Sequence, residues 1–203
     1  MSIKHSPLIT GQKYHIYNRG VDKRVVFQDH FDYLRFYQSL AFFNTVEPTH
    51  NYRRAKNEFG TGHELIVKIE AYSLLPNHFH LLLEQVCEGG ISEFMKRVSG
   101  GYTNYFNEKN DRSGALFQGK YKKVLIESEK QNNYLFSYVN ENHFVHNIEM
   151  KREMYHSSSI HYQKLGTSKL IQDSSSLVYN FNESVALASE IHTRRTGGKD
   201  LLE

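Results

Sequence analysis

The run YSLLPNHFHLLLEQ (72–85) holds two histidines one residue apart, His78 and His80, among residues that otherwise read as buried strand. Successive strand side chains point to opposite faces, so the two imidazoles share one face and Phe79 takes the other. Two imidazoles at this spacing can converge on one divalent cation, each giving one nitrogen. Two ligands are an incomplete site, so a third must come from elsewhere in the fold. The competing reading is a pair of hairpin histidines satisfied by hydrogen bonds, and the spacing alone does not choose between them.

The segment YLFSYVNENHFVHN (134–147) offers what the pair lacks. Tyr138 and Asn142 are four apart and share a face if the segment is helical. Asn142 can present an amide oxygen to a metal, and Tyr138 would then stand one turn away as a nucleophile. On spacing alone, a tyrosine here is ordinarily a core residue and an asparagine a surface residue. Asn140, Glu141 and His143 compete for the third ligand position. Tyr134 is the rival nucleophile, and Tyr105, on another helix, is a weaker one.

Those residues must be held by ordered elements, and the hydrophobic pattern supplies them. Residues 13–19 alternate and are rich in β-formers, so they read as a strand ending at Gly20. Asp29 caps an expected helix over 30–44, with Leu34, Phe36, Tyr37, Leu40 and Phe43 at helical spacing. Residues 45–64 are polar, with Pro48, Gly60 and Gly62, and read as an exposed loop or insertion. Strands follow over 65–76 and 78–86. Only Pro76-Asn77 separates them, which predicts a tight turn and an antiparallel hairpin. A helix is expected over 91–110, with a kink or a close approach at Gly100-Gly101. A turn (111–114), a strand (120–128) and a helix (128–147) complete the series. The order βαββαβ plus one helix is the α+β ferredoxin-like pattern, an antiparallel sheet with both crossover helices on one face. The other face then needs a cover or a ligand. Beyond 147 the chain is less regular: 172–176 reads as a linker, 177–193 as a weak helix, and the last ten residues as mobile.

Composition narrows the function classes. The 203 residues carry 25 Lys and Arg against 22 Asp and Glu, a net charge of +3, too mild to establish a nucleic-acid partner. The basic residues are clustered, however, at 51–56, 96–97, 119–123 and 194–195. With no Trp, 14 Tyr and 13 Phe supply the aromatic mass, and Tyr can both stack and hydrogen-bond. Cys87 is the single cysteine, so no intrachain disulfide forms and a reducing cytoplasm is expected. No apolar run approaches the ~20 residues that span a bilayer, and no apolar signal region opens the chain, so no membrane partner is expected.

Four segments together resemble the single-tyrosine HUH transposases: YHIYNRG (14–20), AYSLLPNHFHLLLE (71–84), YTNYFNEKNDRSGALFQGKYKK (102–123) and YLFSYVNENHFVHN (134–147). The REP-associated tyrosine transposases are the branch they look most like. The resemblance covers about residues 13–166 and includes YHSSSIHYQKLG (155–166), similar to a family tail motif in which His156 stands where a Trp is usual. His143 stands where many relatives have Pro. The resemblance implies a metal site of His78, His80 and Asn142 holding Mg²⁺ or Mn²⁺, and a nucleophile, Tyr138, that cleaves single-stranded, hairpin-bearing DNA. The product would be a 5′-phosphotyrosine that conserves the phosphodiester energy, so no nucleotide cofactor is needed; no P-loop motif occurs. An ordinary phenol of pKa ~10 is ionised to only about 0.1% at pH 7, so populating phenolate costs roughly 4 kcal/mol. A cation that polarises the phosphate lowers that demand. Arg19, Arg112, Lys120, Lys122 and Lys123 are the expected DNA-binding residues. The expected organisation is a catalytic domain over 1–147, an extension over 148–166 packed on it, and a variable tail over 167–203. That extension favours a monomer whose tyrosine helix folds back in cis over a dimer that exchanges it. The alternative is a non-catalytic DNA-binding or regulatory descendant of such an enzyme.

Overall fold

A computed structural model of the protein describes residues 7–47, 51–59, 64–145 and 156–163, together with 184, 186, 187 and 190. Four strands form one antiparallel sheet: β1 (Lys13–Arg19), β2 (Val67–Leu75), β3 (His78–Gln85) and β4 (Lys122–Leu125). Their order is β2-β3-β1-β4, with every neighbouring pair antiparallel. Three helices lie between strands, α1 (His30–Phe42), α2 (Tyr52–Glu58) and α3 (Gly90–Lys109). After β4 come α4 (Glu129–Asn140), α5 (Asn142–Val145) and α6 (Ser159–Gln163). This is the α+β arrangement expected from the alternation of elements.

Helix starts follow their capping residues. The Asp29 carboxylate accepts from the backbone N–H of Phe31 at 2.9 Å and of Asp32 at 3.1 Å. Ser128 does the same for Gln131 at the start of α4. Asn51 caps α2 by accepting from the Arg54 amide, so the insertion expected as loop contains a helix. Its seven residues are too few for periodicity to reveal, and Tyr52 secures it by packing on Phe42 and beneath the Arg35 guanidinium.

The sheet has two buried faces. Tyr14 and Ile16 of β1 and Phe79, Leu81 and Leu83 of β3 meet Phe36 and Leu40 of α1 and Phe94, Val98 and Tyr102 of α3 in the larger core. Phe79 lies between Phe36 and Phe117, with ring centroids 5.1 and 5.4 Å away. The helix α3 runs through Gly100-Gly101 without interruption. Close approach explains Gly101, where a Cβ would sit 3.1 Å from the Phe43 ring. In β2 a bulge between Ile69 and Ala71 switches the inward parity, so Val67 and Ile69 and then Tyr72 and Leu74 all reach this core. The smaller core, on the opposite face, joins Ala71 and Leu82 to Leu135, Phe136, Tyr138 and Val139 of α4 and Val145 of α5. The face that sequence pattern left in need of a cover is thus covered by the tyrosine helix.

Two boundaries differ from expectation in ways that matter. The strand over 120–128 is only four residues long, because Lys122–Leu125 is the stretch that pairs with β1. The single helix over 128–147 is two. Asn140 ends α4, Glu141 takes φ −105° and ψ 22°, and Asn142 opens α5. The linker over 172–176 and the last ten residues lie outside the described residues, as does most of the helix expected over 177–193. Among the described residues, no helix is long and apolar enough to cross a membrane.

Candidate active site

β1 and β3 carry the polar residues of the α4-covered face. Register pairs Arg19 with His78 and Tyr17 with His80, while His15 pairs with Leu82. Strand parity then places Lys13, His15, Tyr17 and Arg19 on the same face as His78 and His80. The His78 and His80 rings lie 5.0 Å apart at 82°, both buried. A cluster of three or more His, Cys, Asp or Glu side chains able to hold a metal does not occur among the described residues. A cation at this pair therefore needs an amide or a substrate oxygen to complete its shell.

Each imidazole is oriented by a neighbour. The Asn77 amide nitrogen donates to the Lys23 carbonyl at 3.2 Å, which fixes which end of the amide is oxygen. That oxygen lies 2.6 Å from His78 Nδ1, so Nδ1 carries the hydrogen and Nε2 carries the lone pair. The tight Pro76-Asn77 turn thus has a chemical consequence for the histidine that follows it. His80 Nδ1 lies 2.9 Å from Nε2 of His15. Burial pushes the pKa of His15 down to about 3, so this third histidine is neutral.

Tyr138 is 1% exposed and stands edge-on to two of these rings. Its centroid is 5.5 Å from that of His80 and 6.0 Å from that of His15, with interplanar angles of 86° and 85°. Tyr134 packs at the margin of the smaller core. Tyr105 lies in the other layer, where its hydroxyl donates to Asp32 at 3.0 Å. The geometry therefore separates Tyr138 from both rival tyrosines.

The competitors for the third ligand position differ in which of their polar atoms are engaged. Asn140 donates to the Phe136 carbonyl at 3.0 Å and accepts from the Ser158 hydroxyl. Glu141 accepts from the Ser159 hydroxyl at 2.7 Å. His143 is only half-buried and packs on Phe144. Asn142 is completely buried, and neither its amide oxygen nor its amide nitrogen has a hydrogen-bond partner. A buried amide without partners costs free energy unless something else occupies its lone pairs. Two imidazoles with a neutral amide oxygen make a donor set suited to a divalent cation such as Mn²⁺.

Residues 156–159 brace this region. Ser157 bridges to Ser73 on the edge of the sheet, and its hydroxyl donates to the Asn140 carbonyl at 2.7 Å. The Ser158 hydroxyl accepts from the Tyr72 amide at 2.9 Å. The His156 and Tyr33 rings meet edge to face with centroids 4.2 Å apart.

The expected DNA-binding residues divide. Arg19 is beside His78 in register, and its Nε is buried without a hydrogen-bond partner. Lys122 pairs with Tyr17 in register and holds its ammonium 5.5 Å from that ring, which itself stacks on His80 at 5.7 Å. Lys123 points to the opposite face by strand parity, so the basic run is not one surface. Lys120 lies over Tyr121. Arg112 donates to the Ala115 carbonyl at 3.0 Å and to Asn107, bracing the turn after α3. Sequence reasoning missed His15 and Asn77. Alternation over 13–19 placed His15 on the Arg19 face, but only the β1–β3 register brings that face to His80.

Residues 51–142 match the family model described as "Transposase IS200 like", and over this segment the chain is transposase-like. No curated protein matches the chain. Among solved structures, the chain is similar to a REP-associated tyrosine transposase bound to a REP hairpin, with a TM-score of 0.54 at 15% identity. That likeness covers 89% of this chain and 95% of the other. A candidate transposase from Deinococcus radiodurans R1 aligns over 70% of this chain and 97% of its own, with 17% identity and a TM-score of 0.39. The first likeness establishes a shared fold, and with the family match it bears out the resemblance read from the sequence.

Proposed function

We propose that this chain, similar over residues 51–142 to the IS200-like transposases, is a metal-dependent single-stranded DNA endonuclease and strand transferase. The observation that carries the reading is the meeting of Tyr138 with the paired histidines: its ring stands edge-on to His80, which shares a strand face with His78. The orphaned Asn142 amide supports it.

In this reading Nε2 of His78, Nε2 of His80 and the amide oxygen of Asn142 hold a divalent cation, Mg²⁺ or Mn²⁺. The bound cation supplies Lewis acidity toward a non-bridging oxygen of the scissile phosphate. Arg19 and Lys122, which lack ion-pair partners among the described residues, receive the flanking phosphates. The Tyr138 oxygen bonds to phosphorus as the P–O3′ bond breaks, and the proton lost by the phenol is balanced by the one gained by the departing 3′-oxygen. One strand end is left as a free 3′-hydroxyl and the other as a 5′-phosphotyrosine. Attack by a second 3′-hydroxyl on that linkage reverses the step and transfers the strand. With Tyr138 nearly covered, a phosphodiester reaches its oxygen only after local opening of the α4–α5 cover.

The likeness to a hairpin-bound structure motivates hairpin-bearing single strands as substrate. Because α4 covers the sheet of its own chain, the reading is a monomer acting in cis. A cytoplasmic setting, where Cys87 stays reduced, belongs to the same reading. The test is incubation of hairpin-bearing single-stranded oligonucleotides with the protein and Mn²⁺. Cleavage that EDTA abolishes and that Tyr138→Phe lacks is expected. Cleavage undiminished in EDTA would overturn the metal assignment.

A further inference from the structure

The hydrogen bond between two of the buried histidines constrains the candidate metal site beyond its ligands. His15 lies diagonally across the β1–β3 ladder from His80, since Tyr17 is the residue directly opposite. The two rings are nearly parallel, 12° apart with centroids at 5.1 Å, and Nε2 of His15 lies 2.9 Å from Nδ1 of His80. That separation is a hydrogen bond, so one proton lies between the two nitrogens. It has two arrangements. If His15 donates, His80 carries its hydrogen on Nε2 and has no lone pair there for a cation. If His80 donates, Nε2 presents its lone pair. Asn77 fixes the second arrangement for His78, because an amide oxygen can only accept.

We propose that His15 is a positioning residue of the metal site: its Nε2 accepts the Nδ1 hydrogen of His80 and so holds His80 in the tautomer that presents Nε2 to a divalent cation. The two ligand histidines are then served by matched acceptors from different elements, the Asn77 amide oxygen from the turn and the His15 ring from β1. The consequence is a fixed ring orientation and a more basic ligating nitrogen. Stacking keeps the acceptor in place, since His15 also lies 5.0 Å from the Tyr17 ring and is buried. The inference rests on the metal reading of His78 and His80 given above.

The experiment separates the acceptor from the ring. His15→Phe keeps an aromatic ring against Tyr17 and removes the acceptor. His15→Gln returns a carbonyl oxygen near the position of Nε2. Mn²⁺ affinity is measured by titration on folded protein, without DNA, for wild type and both variants. His15→Phe is expected to bind Mn²⁺ about 10- to 100-fold more weakly, the usual effect of removing such a partner, and His15→Gln to recover most of the affinity. Equal Mn²⁺ affinity in wild type and His15→Phe would overturn the proposal. Equal weakness of both variants would also overturn it, since His15 would then act by packing. Imidazole ¹⁵N spectra of the metal-free wild type give an independent reading, with His80 expected to be protonated at Nδ1. A wild type that binds no Mn²⁺ would refute the metal reading. The spectra would then still decide the pair, because a His80 protonated at Nε2 contradicts it.

Discussion

Asn142→Leu should make the metal-free protein more stable while removing its response to metal. The Asn142 carboxamide is shut away from water and from hydrogen-bonding neighbours alike: it is completely buried, with both polar atoms unpartnered. Leaving a buried polar group unsatisfied costs about 1–3 kcal/mol. Leucine has the same heavy-atom branching and no polar atoms, so it removes that cost, less whatever its larger methyl groups impose on the packing. A gain of about 1–3 kcal/mol in a chain of this size raises Tm by very roughly 2–12 °C. Wild type should itself be stabilised when cation is added, because binding only the folded state contributes RT ln(1 + [L]/Kd), about 2.7 kcal/mol at 100 times Kd. Urea unfolding of both proteins, in EDTA and in saturating Mn²⁺, measures all four stabilities. The variant is expected to be the more stable protein in EDTA and to gain much less from Mn²⁺. A variant that gained as much stability from Mn²⁺ as wild type would show that the amide is not a ligand.

Three further outcomes follow from particular interactions. Ser158→Ala leaves the Tyr72 amide without its acceptor and the Asn140 carboxamide oxygen without its donor. It should cost about 1–3 kcal/mol and speed hydrogen exchange at the Tyr72 amide, and unchanged exchange there would refute the bracing role. Lys122→Ala should weaken binding of single-stranded DNA and lower the slope of log K against log salt by about 0.7 for each phosphate it no longer neutralises. Lys123→Ala, on the other face of β4, should leave that slope near wild type, and equal effects would contradict the assignment by strand parity. Asp29→Asn retains the helix cap and deletes a charge. The bond from Lys109 chiefly holds the Asp29 carboxyl below its usual range. Wild type's advantage should thus be fully present above the unfolded pKa of ~3.9 and shrink as pH falls toward the lower folded value. Urea midpoints at pH 7 and pH 3 measure this, and a gap independent of pH would refute it.

Much of this architecture was legible in the sequence because the deciding signals are local. Alternation marked β1 and β3, Asp29 marked the start of α1, and Pro76-Asn77 marked the hairpin. The parity that puts His78 and His80 on one face needs nothing beyond the strand itself. What was not legible depends on register and on distant partners. Helical spacing from Tyr138 offers Asn142 as one of several candidates and the family resemblance selects it, yet the helix breaks at Glu141. The better reason for it is that serines about 17 residues downstream engage the Asn140 amide oxygen and one carboxylate oxygen of Glu141, whereas both polar atoms of the Asn142 amide are without hydrogen-bond partners. The lysines of 120–123 looked like one patch because composition carries no direction, whereas β4 turns Lys122 and Lys123 apart. The helix over 52–58 was hidden by its length and by polar side chains whose packing partners are in α1.

The central claim is that Tyr138 is the nucleophile, and the most direct measurement is the site of the covalent bond. The protein is incubated with hairpin-bearing single-stranded DNA and Mn²⁺, denatured, digested with nuclease and protease, and the residual nucleotide is located on a peptide by mass spectrometry. A phosphotyrosyl nucleotide is expected on Tyr138 and none in Tyr138→Phe, whose ring retains the packing of the Tyr138 ring beside His80 and His15. A nucleotide mapped to Tyr134, or an adduct that persists in Tyr138→Phe, would contradict the claim.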